Sequence, residues 1–391
     1  MRIAIAAKST LAHGPGGMQA HLDNLARELA ARGHQVEVIT TRHPAGRAGE
    51  DRSGVRVHYL AEAPAGRYSA AWWRASRLAF GRLMREGPVD LVLSESLAAS
   101  AIARLASRPP VYPFVHGLVL SHVGVEWSHR AGAGAAARYV GVTLPELLYY
   151  AFVHERPLLR LADGVIAIAD VIARALVGRC RRVILSYNGV DVARFAPNGE
   201  RRRRIRRRLG IADDERVVLL ASVMTRQKGM HLGMAAYARV ARTCPGTRLI
   251  VAGSGPEAER LRALANGVVP DRVLFVGGIA NHEMPEYFNA ADVLVHPSLR
   301  AEGLPTVIVE AMASGLPVVA TDAGGTASAI HAGHTGELVP KGDVAALAAA
   351  LQGLLTDRAR AAKLAAEALV TARERFAWPG IVDRLLTDLG A

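Results

Sequence analysis

The chain has 391 residues, of which half are apolar and 21% are charged, and its formal net charge is +13. This composition excludes general disorder, and the length allows two domains of ordinary size. No uncharged apolar run of about 18 residues occurs, which excludes a transmembrane helix. The two cysteines, Cys180 and Cys244, form no spacing motif, which favours a reducing cytoplasm.

Most of the positive charge comes from arginine, since only four of the 48 basic residues are lysine: Lys8, Lys228, Lys341 and Lys363. A codon bias explains such an excess, so a lysine that remains indicates a need for a compact ammonium group. Residues 1–190 hold 23 basic and 14 acidic side chains, a net charge of +9, against +4 for the rest of the chain. The first half therefore favours an anionic partner.

The first half of the chain alternates β-rich runs with helical patterns. The run RIAIAA at 2–7 predicts a strand and loop rather than a secretory signal, and a helix over 18–33 follows, with Leu22, Leu25 and Leu29 on one face. Further strands are predicted over 35–40, 90–96, 110–117 and 164–170, and a further helix over 97–107. Such alternation builds a parallel sheet that helices cover on both faces.

The same alternation restarts in the second half, after a join at about 188–197 that contains the turn residues Asn188 and Gly189. Strands are predicted over 216–222, 248–255, 273–279, 292–298 and 316–322, and helices over 230–241 and 257–266. Residues 343–391 are mostly helical, and Pro379 breaks that pattern. The sequence thus predicts an α/β protein with two doubly wound, Rossmann-like domains facing a cleft, in which ligands bind at the carboxyl ends of the strands.

Two glutamates, Glu302 and Glu310, stand in the otherwise apolar stretch AEGLPTVIVEAMASGLPVVATDAGG. A helix is predicted to begin near Pro305, and its first backbone N–H groups are suited to a diphosphate. Glu310 then lies about 8 Å along the helix axis, at the distance of a ribose, and Glu302 would meet a sugar on the other side of the phosphates. The alternative is a surface glutamate and a glutamate that stabilises the helix start.

Six further motifs accompany the glutamate pair. They are GPGGMQAHLDNLARELAARGHQVEVIT at 14–40, VHG at 115–117, YNGVD at 187–191, QKG at 227–229, VAGSGP at 251–256 and FVGGI at 275–279. Together with Glu302-x7-Glu310 they resemble the retaining glycosyltransferases of the GT-B fold, family 4 or group 1, over nearly the whole chain. The resemblance implies an acceptor-side domain over 1–190, a nucleotide-sugar-binding domain over 191–370 and a C-terminal helix over 371–391 that returns to the N-terminal domain.

The resemblance also implies roles for individual residues. In the family the second glutamate holds the ribose and the first holds the donor sugar, which corresponds to Glu310 and Glu302. A lysine that neutralises the leaving diphosphate corresponds to Lys228. Its usual partner is an arginine six residues earlier, where this chain has Ser222, and Arg226 is the candidate replacement.

Other positions follow from the same resemblance. The family places a histidine at the donor sugar, which corresponds to His116. Gly16 and Gly17 open a helix where the backbone can approach a phosphate or sugar, and a plain tight turn is the alternative. Because Pro305 removes one N–H donor, backbone contacts to the diphosphate fall to Gly303, Leu304 and Thr306. The loops at Gly253, Val276 and Ile279 would cradle the base through backbone contacts that suit uracil and guanine alike.

Two arginine-rich segments favour contact with a membrane surface or a nucleic acid. Residues 201–208 hold seven arginines, and residues 67–86 combine Trp72 and Trp73 with five arginines. The first segment would bind anionic lipid or nucleic acid, and the second would lie on a membrane surface or form an acceptor wall. The alternatives are a solvated helix face and an ordinary half-buried helix. We expect peripheral contact with the inner face of the membrane at most, and no nucleic acid.

The sequence therefore predicts a cytoplasmic, retaining glycosyltransferase that moves a sugar from a nucleotide-diphosphate sugar to a hydroxyl acceptor, which the charge suggests is anionic. A UDP-sugar is the preferred donor and a GDP-sugar the other candidate. No Asp-x-Asp triplet and no His/Cys cluster with metal-ligand spacing occurs, so the reaction is expected to need neither metal nor cofactor. The alternatives are a nucleotide-sugar epimerase or hydrolase on the same fold, and a degenerate, non-enzymatic binding protein.

Overall fold

The computed structural model describes residues 1–14, 16–122, 139–267, 270–301 and 303–390. The chain divides into two compact units, Met1–Asn188 with Trp378–Ala391, and Gly189–Ala377. The return to the first unit falls at Trp378 rather than at residue 371, because the helix Arg358–Arg375 belongs to the second unit. The first unit is therefore built from two separate stretches of chain.

An eight-stranded sheet forms the centre of the first unit. Its strands are β1 Arg2–Ala6, β2 Gln35–Thr41, β3 Gly49–Arg52, β4 Val55–Leu60, β5 Leu91–Glu95, β6 Val111–Val115, β7 Val165–Ala167 and β8 Val183–Leu185. The order is β3-β4-β2-β1-β5-β6-β7-β8, and every neighbouring pair is parallel except the antiparallel edge pair β3–β4. The helices are α1 Gly17–Ala31, α2 Ala70–Glu86, α3 Leu144–Tyr149, α4 Arg156–Leu161 and α5 Asp170–Leu176.

A six-stranded, fully parallel sheet forms the centre of the second unit. Its strands are β9 Arg216–Ala221, β10 Thr247–Ala252, β11 Val273–Gly277, β12 Val293–His296, β13 Val318–Thr321 and β14 Glu337–Val339, in the order β11-β10-β9-β12-β13-β14. The helices are α6 Gly199–Arg208, α7 Met230–Thr243, α8 Ala258–Asn266, α9 Met284–Ala290, α10 Thr306–Ala313, α11 Thr326–Ala329, α12 Val344–Thr356 and α13 Arg358–Arg375.

The last helix, α14 Trp378–Leu389, packs on the first unit as the fold class implied. Trp378, Ile381 and Leu385 are buried in the same core as the apolar face of α1. At the edge of this contact the Arg32 guanidinium donates to the Asp383 carboxylate at 2.7 Å. None of the described helices combines the length and the apolar character that a membrane span requires.

Two parts of the first unit differ from the sequence prediction. The helix predicted over 97–107 is wrong, because residues 97–104 form consecutive turns. The Ser94 hydroxyl accepts the Ala99 N–H at 2.8 Å and donates to the Ser96 carbonyl at 2.9 Å, so these backbone groups are withdrawn from a helical ladder. The edge hairpin β3–β4 was not predicted, since its outer strand is short and polar.

The arginine-rich helix α6 exposes only some of its arginines to solvent, and others are buried against the protein. Arg206 is only 1% exposed and donates to the Ala290 and Glu215 carbonyl oxygens and to the Asp292 carboxylate. Arg202 binds the same carboxylate at 2.8 Å. Part of the run therefore anchors α6 to the segments that directly precede β9 and β12.

The aromatic helix α2 buries its apolar face in the core of the first unit. Trp72, Phe80 and Leu83 lie in this core, whereas Arg74 and Arg77 are exposed. This arrangement is the half-buried helix that was the alternative to a membrane-surface segment.

Candidate active site

Helix α10 follows β12 through a loop, and this loop and the helix together carry five of the predicted donor-binding residues: Glu302, Gly303, Leu304, Thr306 and Glu310. Leu304 is 3% exposed and anchors this loop, and Gly303 and Thr306 are half-buried on either side of it. Pro305 is extended, with φ −68° and ψ 116°, and the helix begins at Thr306. The first N–H groups of α10 have no partner within the helix, so this end of α10 has the chemistry that favours an anion. Glu302, the predicted donor-sugar ligand, lies outside the described residues.

Glu310 lies in the second turn of α10, and the residue as a whole is half-buried. Burial raises the pKa of this carboxyl to about 7, although the charge of Arg194 and a hydrogen bond from Asn281 act in the opposite direction. The Arg194 guanidinium also donates to the Asn281 side chain. Arg194 and Asn281, which the sequence did not single out, therefore form a polar chain that leads to Glu310.

Lys228 ends a short 3₁₀ turn, Arg226–Lys228, that precedes α7. The backbone N–H groups of Leu299 and Arg300 donate to the Gln227 carbonyl oxygen at 2.9 and 3.2 Å. Gly229 has φ +64°, and a Cβ there would lie 1.9 Å from the Pro297 carbonyl oxygen, so only glycine allows this approach. The turn that carries Lys228 is thus fixed to the loop that leads into α10.

Arg226 is exposed, and its side chain makes no hydrogen bond or ion pair to any residue in the described part of the chain. Ser222, which stands where the resembling family has arginine, is half-buried at the end of β9. A Cβ on Gly253 would lie 1.9 Å from the Ser222 carbonyl oxygen. The two loops therefore touch through their backbones.

The predicted base-binding loops meet at the edge of the second sheet. The Gly253 N–H donates to the Gly277 carbonyl oxygen at 2.7 Å, across β10 and β11. Val276 and Ile279 are half-buried on the edge strand and its following loop. The structure brings these three positions together at the carboxyl end of the sheet, where ligands of open α/β sheets bind.

In the first unit, Gly16 and Gly17 are exposed at the start of α1, and His116 follows β6. His116 is 15% exposed in its side chain, and its Nε2 lies 2.6 Å from a carboxylate oxygen of Glu95. The second oxygen of Glu95 lies 2.8 Å from Nδ1 of His21. One buried carboxylate therefore holds two histidines.

Sequence reasoning missed Glu95 and His21. Burial raises the pKa of Glu95, but attraction to both histidines and their hydrogen bonds outweigh burial and hold it well below its usual range. The available signal was Glu95 itself, an acid at the end of an apolar strand that pairs with the strand preceding His116. Within the described residues this trio is the one group with metal-ligand character, its ligand atoms lying within 4.8 Å of one another. The sequence showed no such cluster, because its members are far apart along the chain.

Both halves of the chain match known protein families. Residues 15–194 match the family described as Glycosyltransferase Family 4, and residues 201–370 match Glycosyl transferases group 1. The D-inositol 3-phosphate glycosyltransferase of Stackebrandtia nassauensis is 32% identical over 398 residues, which cover 96% of this chain and 86% of that protein. The GDP-mannose-dependent alpha-(1-6)-phosphatidylinositol monomannoside mannosyltransferase of Mycolicibacterium smegmatis is 36% identical over 197 residues, about half of each chain: 49% of this one and 51% of the relative.

Solved structures show the same fold. Sucrose-phosphate synthase from Thermosynechococcus elongatus superposes with a TM-score of 0.83 at 24% identity, over 100% of this chain and 98% of that one. Anabaena HepE in complex with UDP and glucose gives a TM-score of 0.77 at 23% identity, over 100% and 99% of the two chains.

Proposed function

The chain belongs to the group 1 glycosyltransferases of the GT-B fold, and we propose that it moves a sugar from a nucleotide-diphosphate sugar to a hydroxyl acceptor with retention of the anomeric configuration. The observation that carries the proposal is the arrangement in the second unit. The N-terminus of α10, the Glu310 carboxylate and the turn that bears Lys228 are joined by one loop. Together they offer donors for a diphosphate and an acceptor for ribose hydroxyls.

In this mechanism the sugar–phosphate bond breaks while negative charge builds on the β-phosphate. The Lys228 ammonium and the first N–H groups of α10 stabilise that charge, which in other enzymes a metal ion does. The leaving phosphate takes the proton of the attacking hydroxyl on the same face of the sugar. Glu302 and His116 are the residues proposed to contact the transferred sugar, and no protein nucleophile takes part.

The base of the donor nucleotide is either uracil or guanine. A UDP-sugar stays the preferred donor and a GDP-sugar the other candidate. The relatives support both, since one is named as GDP-mannose-dependent and a structural neighbour is in complex with UDP. The contacts proposed at Gly253, Val276 and Ile279 are made by backbone groups, which suit either base.

We propose an acceptor that carries an anionic group, and Lys8 supports this. The Lys8 ammonium lies 5.3 Å from the centre of the Tyr68 ring, and burial lowers its pKa. No carboxylate of the described residues forms an ion pair with this partly desolvated cation. Within the described residues nothing neutralises this ammonium, and a phosphate or carboxylate on the acceptor would do so.

The test is a panel of UDP-, GDP- and dTDP-sugars, with thermal stabilisation and nucleotide release as the measurements. A donor at a hundred times its Kd should stabilise the protein by about 2.7 kcal/mol. Glu310→Ala should lose about ten- to hundredfold in nucleotide affinity, because hydrogen bonds to a charged group are worth about 1.5–3 kcal/mol. The exposed Glu374 provides the control, Glu374→Ala. Wild-type affinity in a folded Glu310→Ala variant would refute the assignment of Glu310.

The same experiment distinguishes a transferase from two other functions. An epimerase or hydrolase on this fold would release free nucleotide at full rate without any acceptor. Ser222 in place of arginine is the observation that favours a degenerate binding protein. Such a protein would bind anionic vesicles or DNA in a salt-dependent way and turn over no donor.

A further inference from the structure

The buried carboxylate of Glu95 joins three elements of the first unit. It ends β5 and is 1% exposed. His21 reaches one oxygen from α1, the helix that opens at Gly17, and His116 reaches the other from the end of β6. The two contacts, 2.8 and 2.6 Å, are short, as hydrogen bonds to an ionised carboxylate are.

The backbone next to Glu95 has an unusual conformation that several hydrogen bonds hold in place. Ser96 has φ +57°, a left-handed conformation that is unfavourable for a residue other than glycine. Hydrogen bonds hold it there: the Ser96 N–H donates to the Phe114 carbonyl at 3.1 Å, and the Ser94 hydroxyl donates to the Ser96 carbonyl. The Tyr68 hydroxyl donates to the Glu95 carbonyl at 3.3 Å. Strain that surrounding contacts maintain in this way is typical of functional sites.

The two histidines differ in their surroundings. The His21 ring lies at 4.8 Å from Phe114 and 5.3 Å from Trp378 between ring centres, and it is only 3% exposed. The His116 side chain is 15% exposed, so it is the member of the trio that a substrate can reach. His21 therefore acts inside the protein, and His116 acts at its surface.

The contact with Glu95 determines which nitrogen of His116 remains for a substrate. A carboxylate only accepts, so the Nε2 of His116 must donate its proton to Glu95. In the neutral ring the other nitrogen, Nδ1, then carries a lone pair and accepts hydrogen bonds. A hydroxyl group is the matching partner.

We propose that Glu95 is a positioning residue, which fixes the ring of His116 and its Nε2–H tautomer so that Nδ1 accepts a hydrogen bond from a substrate hydroxyl. His21 occupies the second oxygen of Glu95 and prevents the carboxylate from turning away. The hydrogen bond from a substrate hydroxyl rests on the proposed transferase function. The Nε2–H tautomer of His116 follows from the contact with Glu95 alone.

Kinetics test the role through Glu95→Gln, which keeps the shape and removes the charge. We expect kcat to fall about 10–100-fold, as when a partner that orients a site histidine is lost. Nucleotide affinity should be unchanged, because the proposed nucleotide contacts lie in the second unit. Glu95→Asp, which keeps the charge, should recover part of the rate. A Glu95→Gln, His116→Ala double variant should be no slower than His116→Ala alone, since Glu95 acts through His116.

The matched control is Glu37→Gln in the same sheet. Glu37 is also a buried carboxylate that a histidine contacts, with His58 Nε2 at 2.7 Å and Arg2 at 3.0 Å, and none of the proposed site residues that the structure describes touches it. It should lower stability and leave kcat unchanged. Equal kcat losses in Glu37→Gln and Glu95→Gln, or wild-type kcat in folded Glu95→Gln, would show that Glu95 is merely structural.

A measurement on the wild-type protein needs no variant to fold. The ¹⁵N shifts of the His116 ring should show a protonated Nε2 and an unprotonated Nδ1. The opposite tautomer would overturn the proposal, and so would a stoichiometric bound metal ion that His21→Gln releases. If the tautomer is as expected but no donor is turned over, the transferase function fails and the positioning by Glu95 stands.

Discussion

Burial raises the pKa of the Glu310 carboxyl despite the charge of Arg194, and this shift gives a pH dependence with a defined sign. Burial raises this pKa from 4.5 to about 7, so the folded state binds more protons than the unfolded state between these two values. The contribution of Glu310 to stability is therefore present below about pH 4.5 and is lost as the pH rises through about 7.

Nucleotide affinity should change in the opposite direction. Ribose hydroxyls bind the ionised carboxylate better, so the affinity should fall as the pH is lowered through about 7. Calorimetric titration with UDP or GDP from pH 5.5 to 8.5 measures this, and Glu310→Gln should abolish the dependence. An affinity that is independent of pH in the wild type would mean that Glu310 does not receive the ribose.

Lys228 is expected to matter more for the rate than for binding, because the charge it meets develops in the transition state. Loss of such a stabilising group costs about 10²–10³ in kcat, so Lys228→Ala should nearly abolish transfer while nucleotide still binds. Arg226→Ala should also lower kcat if this exposed arginine replaces the one missing at Ser222. Single-turnover rates of both variants decide the matter: wild-type kcat in Arg226→Ala leaves Lys228 and α10 as the only stabilising groups.

At the scale of elements, helix α6 contains both buried and solvent-exposed arginines within one run of sequence. Arg206→Met removes hydrogen bonds to four backbone carbonyls and the Asp292 carboxylate and should cost about 3–5 kcal/mol. Arg207→Met changes an exposed side chain and should stay within about 0.5 kcal/mol. Urea unfolding of both variants measures the difference. Equal effects would mean that the burial of Arg206 contributes nothing.

Helix α14 is expected to be as necessary to the first unit as its own core strands. Leu385 is 1% exposed in the core shared with α1, so Leu385→Ala should destabilise the first unit by about 2–5 kcal/mol. Asp388→Ala, on the exposed face of the same helix, is the control. Differential scanning calorimetry should show a lower first-unit transition and an unchanged second-unit transition. A shift in the second transition alone would contradict the packing.

For the whole molecule, we expect transfer to survive EDTA. The reasons are the absence of an Asp-x-Asp triplet from the sequence and the presence of Lys228 on a turn that is hydrogen-bonded to the loop leading into α10. Initial rates with and without the chelator test this, with added Mg²⁺ and Mn²⁺ as controls. Complete loss of activity on chelation, restored by either ion, would show that a metal ion carries the charge assigned to Lys228.

Much of the fold could be predicted because its signals are local. Apolar periodicity predicted the strands at 2–7 and 216–222, and the order of motifs predicted the family and the GT-B fold, both of which are confirmed. The helix predicted over 97–107 failed because the Ser94 side chain competes for the backbone groups of that segment. The roles of Glu310, Lys228 and His116 stay predictions.

The sequence by itself determined the two-sheet architecture, because alternating strand and helix patterns are local, and it predicted candidate donor residues from the spacing of Glu302 and Glu310 and from the resemblance to a known family. Only the tertiary structure showed that Glu95 pairs with both His21 and His116, that Arg194 and Asn281 lead to Glu310, and that Arg206 is buried. Each of these contacts joins residues that are 21 to 116 positions apart, or turns on which face of a helix is covered. Such pairings depend on strand order and side-chain packing, which no local pattern of residues encodes.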